Sequence, residues 1–113
     1  MKYDVKLTSQ AIIQISEIIN YISNVLNTPQ NAKSWSNHLK ERITNLNMTP
    51  SRFPVLDRKN YKEKEIRKMV VHNFNVYYYV DEEKKTVWVI AVVYSKRDQL
   101  NFLKGFIPIN DPH

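Results

Sequence analysis

The sequence predicts an α+β domain in which a helical hairpin packs on one face of a small, mostly antiparallel sheet. Three observations carry this reading. Isoleucines recur at spacings of three and four from Ile12 to Ile22, the period of an amphipathic helix. Three β-type segments rich in valine and tyrosine follow one another between Ile66 and Tyr94, joined by short polar turns. Finally, 113 residues with a 42% hydrophobic fraction suffice for one modest core without disulfides or metals.

Each element has its own local reason. From Lys2 to Leu7 polar and apolar residues alternate, with Tyr3, Val5 and Leu7 on one side, so this stretch reads as a strand. Thr8 or Ser9 caps the next helix. Its apolar stripe is Ile12, Ile15, Ile18, Ile19, Ile22, Val25 and Leu26, opposite a neutral polar side of Gln14, Ser16, Asn20, Ser23 and Asn24. Asn27-Thr28-Pro29 ends that helix and starts another, with Thr28 as N-cap and Pro29 as first helical residue. Ala32, Trp35, Leu39, Ile43 and Leu46 form the second stripe. The short joint makes the pair an antiparallel hairpin.

Met48 to Lys64 contains Pro50, Pro54 and many charges and reads as a loop. Strands follow at Ile66–Val71, Phe74–Val80 and Thr86–Tyr94. His72-Asn73 fits a two-residue turn in which asparagine accepts the positive φ, and Asp81 to Lys85 makes a longer polar turn. The last strand is apolar at nearly every position, so it is expected to be central and covered on both faces. Ser95 to Leu103 reads as a short terminal helix. The expected order is β-α-α-β-β-β with an optional final helix. Residues 1–104 form one domain, and 105–113, with Pro108 and Pro112, form a loose tail.

Composition narrows the function classes. There is no cysteine, which removes disulfide and thiol chemistry. The start, MKYDVKLTSQ, mixes charged and apolar residues and is no signal peptide. No apolar run is long enough to span a membrane, so the expected compartment is the cytoplasm. The net charge of +6 allows nucleic acid, an anionic membrane surface or an acidic protein as partner and does not choose among them. The charge is uneven. Between Thr8 and Ala32 the single charged side chain is Glu17, whereas seven basic residues stand between Arg52 and Lys68. Arg67-Lys68 opens the three-strand segment and Lys96-Arg97 follows it. If the strands pair as neighbours, the two basic pairs can meet at one sheet edge as a cationic site.

The landmarks resemble the RelE/ParE superfamily of toxins from bacterial type II toxin–antitoxin modules. The likeness covers about the first 104 residues. It rests on Arg67 at the start of a strand, then NFNVYYYVDEE from Asn73 to Glu83, an apolar strand, and YSKRDQLNFL from Tyr94 to Leu103. Val5 to Thr8, Ala11, Tyr21-Ile22, Pro29 with Ala32, and Leu46 with Pro50 and Pro54 add to it. The resemblance implies a growth-inhibiting toxin neutralised by a cognate antitoxin. Its target would be mRNA, cleaved in the ribosome as by RelE-like members, or DNA gyrase, inhibited as by ParE-like members. A non-toxic or degenerate basic nucleic-acid-binding module is the alternative.

Metal-independent RNA cleavage needs a base, an acid and cations for the phosphorane charge. By resemblance Arg97 stands where the family carries an arginine on the scissile phosphate, and Lys68 stands near the base of RelE-like enzymes. Arg67 and His72 complete the candidate catalytic set. Lys68, Asn75, Tyr94 and Lys96 are the candidate substrate-binding residues. Each has a plainer alternative: Arg97 as a salt-bridge partner of Asp98, His72 as an exposed turn residue, and Tyr77, Tyr78 and Tyr79 as sheet packing. His38 is expected to be structural or solvent-facing. Adjacent strand residues face opposite ways, so Arg67 and Lys68 do not both point to one site. Two departures count against a RelE-type nuclease. Asn75 is uncharged where an arginine often stands, and Phe102-Leu103 replaces a tyrosine or His-Tyr pair. No metal-ligand spacing is present, and Gly105 is the single glycine, so neither a metal, a Gly-rich phosphate loop nor any other cofactor site is expected.

Overall fold

The computed structural model describes residues 2–61 and 64–97. Strand β1 (Asp4–Leu7) leads into helix α1 (Ser9–Asn20), and helix α2 (Pro29–Thr44) follows. Strands β2 (Val55–Tyr61), β3 (Lys64–Val71), β4 (Phe74–Asp81) and β5 (Thr86–Tyr94) complete the order. The five strands form one sheet in the order β1-β5-β4-β3-β2. The β1–β5 pairing is parallel and the others are antiparallel. The α+β class and the helical hairpin on a mostly antiparallel sheet are as expected from sequence.

Thr8 joins helix to sheet. Its hydroxyl accepts from the Ala11 amide at 3.2 Å, capping α1, and donates to the Ile90 carbonyl at 3.3 Å. Its own amide donates to the Val89 carbonyl at 3.0 Å. Three residues on from the capped amide, Gln14 Oε1 accepts from the Val92 amide at 2.8 Å. Thus where β1 ends, side chains of the first helical turns take over the outer edge of β5.

The hairpin departs from the expected pattern in two ways. The first helix does not run unbroken to Leu26: after Asn20 it widens into a π turn from Tyr21 to Val25. Its stripe is also only half used. Ile15, Ile18, Ile19 and Ile22 pack on the core, while Ile12, Ile13, Val25 and Leu26 are half exposed or more. Asn27 reverses the chain with φ of 56°. Thr28 stands at the cap position but does not cap α2. Its amide and hydroxyl both donate back to the Ile22 carbonyl, at 3.1 and 3.0 Å.

The expected loop from Met48 to Lys64 contains strand β2, which pairs with β3 through Val55↔Arg67, Asp57↔Ile66 and Tyr61↔Lys64 with two register shifts. Edge strands tolerate charge and irregularity that a central strand does not, so VLDRKNY carries no alternating apolar signal. In the β3–β4 turn the positive φ belongs to His72, at 54°, and not to Asn73. Lys85, at 49°, closes the β4–β5 turn. Only Ser95–Arg97 of the expected terminal helix is described, as one 3₁₀ turn. The rest of it, and the tail from 105, lie outside the described residues.

The sheet is buried on both faces. Met69, Val71, Val76, Tyr78, Val87, Val89 and Val92 meet Ala11, Trp35, Leu39, Ile43 and Leu46 on the helix side. Ile66, Tyr77, Tyr79, Ile90 and Ala91 cluster on the other. Consecutive Ile90 and Ala91 share that face because the β4–β5 register shifts between Tyr77 and Tyr78, leaving one extra residue in β5. As expected, β5 is an interior strand, between β1 and β4, and Tyr78 shares its face with Val76.

Thr8 yields a direct test. Replacement by valine removes the cap and leaves the Ile90 carbonyl short of a donor, lowering stability by about 1–2 kcal/mol, whereas Thr8→Ser retains both bonds. Urea denaturation of the three proteins measures this. Equal midpoints for wild type and Thr8→Val would refute the joint role of the hydroxyl.

Candidate functional site

Two hydrogen-bonded corners distribute the candidate residues. The first lies where β3 passes the turn at Pro50–Arg52. The Arg67 guanidinium donates to the Ser51 carbonyl at 3.0 Å and to the Phe53 carbonyl at 2.6 Å. Beside it the buried Tyr78 hydroxyl donates to the Pro50 carbonyl at 2.6 Å. Burial pushes the Tyr78 phenol from its ordinary 10.0 up to about 12, against the opposing charges of Arg67 and Arg52. Tyr78 is thus a neutral, fixed donor. Together these bonds tie the turn before β2 to the centre of the sheet.

The second corner is the end of the sheet where the β3–β4 turn meets the exit of β5. Phe74 and Tyr94 are register partners, with ring centroids 5.5 Å apart. The Ser95 amide donates to the Asn73 carbonyl at 2.8 Å. Trp35 of α2 packs on Phe74 at 5.0 Å, and His38 of the same helix meets His72 at 4.5 Å. A cleft of about 620 Å³ opens beside Phe74 and Tyr94 against Glu17, Ile18, Tyr21 and Leu26 of the first helix and its π turn. Its walls are mostly apolar, with Glu17 contributing a carboxylate and Tyr94 a hydroxyl.

The sheet therefore brings His72 and Tyr94 together at one end. Lys96 and Arg97 follow directly in the 3₁₀ turn. It does not bring Arg67 and Lys68 to them. The register Arg67↔Tyr78 and Val71↔Phe74 puts Arg67 four residues back from that end, about 13 Å along the strand. The single cationic edge expected from sequence is therefore not formed. Lys68 pairs with Tyr77 and faces away from the helices, opposite to Arg67, as strand alternation requires. Asn75 is buried. It pairs with Val70 and Val93 and alternates with Phe74 and Val76, so it too faces away from the helices. Among the described residues no group of three or more His, Asp or Glu side chains gathers that could hold a metal ion.

Sequence reasoning missed the roles of four residues. His38 was expected to be structural or exposed, yet its ring contacts His72. Gln14 was placed on the polar side of its helix, yet it holds the β5 amide. Arg67 and Tyr78 both cap carbonyls of the same turn. None had a signal in the chain, since each partner lies 14 or more residues away.

The family model describing the ParE toxin of the type II toxin–antitoxin system, parDE, matches residues 5–99. The chain belongs to the ParE toxin family. Its fold is similar to the chromosomal ParDE toxin–antitoxin system from P. aeruginosa, with a TM-score of 0.66, 16% identity, and coverage of 82% of this chain and 96% of that one. It also resembles the RelBE2 toxin–antitoxin complex from Mycobacterium tuberculosis, with a TM-score of 0.59, 18% identity, and coverage of 83% and 92%. For the archaeal RelE–RelB complex from Pyrococcus horikoshii OT3 the values are 0.59, 17%, and 87% and 100%. No curated protein matches the chain. This ParE-family toxin carries, among the described residues, no helix long and apolar enough to cross a membrane.

The Tyr78 phenol gives a pH prediction. Its folded value lies above the unfolded one, so its contribution is fully present below pH 10 and is lost as pH rises toward 12. Relative to Tyr78→Phe, the wild type loses about 1 kcal/mol of unfolding free energy between pH 9 and 11. Parallel urea titrations at those two pH values check this; a constant difference between the two proteins would contradict it.

Proposed function

We propose that this ParE-family toxin arrests growth by binding and inhibiting DNA gyrase in the cytoplasm, and that a cognate antitoxin neutralises it. The observation that carries the choice of target is the dispersal of the candidate nuclease residues. The Arg67 guanidinium is committed to the Ser51 and Phe53 carbonyls. Asn75 brings no charge, and it faces away from the helix side on which Tyr94 packs against Phe74. A metal-independent ribonuclease needs its acid, base and cations aimed at one phosphate. Inhibition by binding needs only a complementary surface, and the net charge of +6 suits a partner with an acidic face.

The antitoxin reading has its own support. Ile12, Ile13, Val25 and Leu26 leave an apolar strip on the first helix and its π turn, which an amphipathic segment that folds on binding can cover. A second target remains worth testing because His72, Tyr94 and the Lys96-Arg97 pair lie at one end of the sheet. That set supports mRNA cleavage with His72 as acid or base and Arg97 on the phosphate.

The deciding experiment expresses the toxin with and without its neighbouring gene and follows plasmid topology and RNA together. The gyrase reading expects loss of negative supercoiling in cells and in a purified gyrase assay. It also expects intact mRNA on programmed ribosomes and rescue by the neighbouring gene. Cleaved mRNA with normal supercoiling, abolished in a folded Arg97→Ala variant, would replace it with the nuclease reading.

A further inference from the structure

His72 is the acid or base of the nuclease reading, but its contact with His38 is used by neither target reading; His38 is half-buried and His72 exposed. His38 stands on α2 between buried Leu39, next in sequence, and buried Trp35, one turn earlier. His72 follows fully buried Val71 and precedes Phe74, on which Trp35 packs at 5.0 Å. The turn backbone is set by the φ of 54° at His72 itself. Arg42, one turn beyond His38, donates to the Val70 carbonyl at 3.5 Å, a second tie between the same helix and the same strand end. The two Cα positions are thus set by packing. The imidazoles meet as a consequence, with centroids 4.5 Å apart and planes tilted by 49°.

That spacing suits a shared ion. Two imidazoles that each bind one ion through a nitrogen at about 2.0–2.1 Å have centroids about 4.5–5.2 Å apart for bond angles between square and tetrahedral. We propose that His38 and His72 bind a borderline divalent transition ion (Zn²⁺, Ni²⁺ or Cu²⁺), forming a two-histidine clip between α2 and the β3–β4 turn. Imidazole selects these ions over Mg²⁺ and Ca²⁺, which take oxygen ligands. Among the described residues no third ligand joins the pair, so water completes the shell. The neighbouring charges include Arg42 on α2, held at the Val70 carbonyl, and the Lys96-Arg97 pair that follows β5 at the same end of the sheet; these cations weaken the site. A bound ion occupies a nitrogen lone pair of His72, the group that His72 would use as a general base. The clip does not depend on which target the toxin attacks.

The test uses the full chain and the metal alone. Thermal unfolding with ZnCl₂ or NiCl₂ is expected to raise the wild-type Tm by about 3 °C or more. EDTA reverses the rise, and MgCl₂ produces none. His38→Ala and His72→Asn, the latter keeping a residue that accepts positive φ, each abolish it. As a readout independent of variant folding, the imidazole ¹⁵N resonances of His38 and His72 in the wild type move together during ZnCl₂ titration. The proposal is overturned by an equal Tm rise in both variants, by no rise at millimolar metal, or by resonances that stay in place.

Discussion

Strand β5 is the constraint on which the other elements depend. It is apolar at almost every position, and it is hidden from water on both faces and along both edges for most of its length. One edge belongs to β4 throughout. The other is shared in sequence by β1, the Thr8 hydroxyl and Gln14. Buried backbone groups need partners, and four residues of β1 cannot supply them for a nine-residue strand. The first turns of α1 therefore act as an extension of the sheet. This fixes where the helical hairpin sits, and with it the cleft between the π turn and the end of β5.

The same register also sorts the chemistry. In an antiparallel meander, residues far apart in the chain meet at the strand ends, while neighbours along a strand are separated by face. His72 and Tyr94 come together because Val71, Phe74 and Tyr94 stand in adjacent register. Arg67 is drawn the other way, to the carbonyls before β2, and Tyr78 joins it there. An arginine that looks like an anion site in one dimension is in three dimensions the anchor of a proline turn.

Some of the fold was legible because its signals are local or strongly periodic. The period of the first helix, Pro29 at the start of the second, the β5 boundaries and the polar turns all follow from short-range pattern. Strand β2 was not legible. Its sequence has no alternating apolar signal, because an edge strand tolerates charge and irregularity that an interior strand does not. The π turn and the half-exposed isoleucine strip were hidden for a related reason: helical period marks an apolar side but does not say how far the sheet extends beneath it. In the β3–β4 turn the preference of asparagine for positive φ pointed to Asn73, yet the strand register on either side placed that conformation at His72.

By itself, then, the sequence determined the class of fold, the helical hairpin, the central strand and the likeness to a toxin superfamily, since these rest on periodicity and on motifs carried within short stretches. Only the tertiary structure decided which of Arg67, Lys68, His72, Asn75 and Tyr94 share a place. It also decided that His38 belongs beside His72, and that Thr8 and Gln14 complete the sheet. Side-chain proximity across 14 to 82 residues is set by strand register and by the seating of helices on the sheet. Register is a property of paired backbones, and no single segment of the chain encodes it.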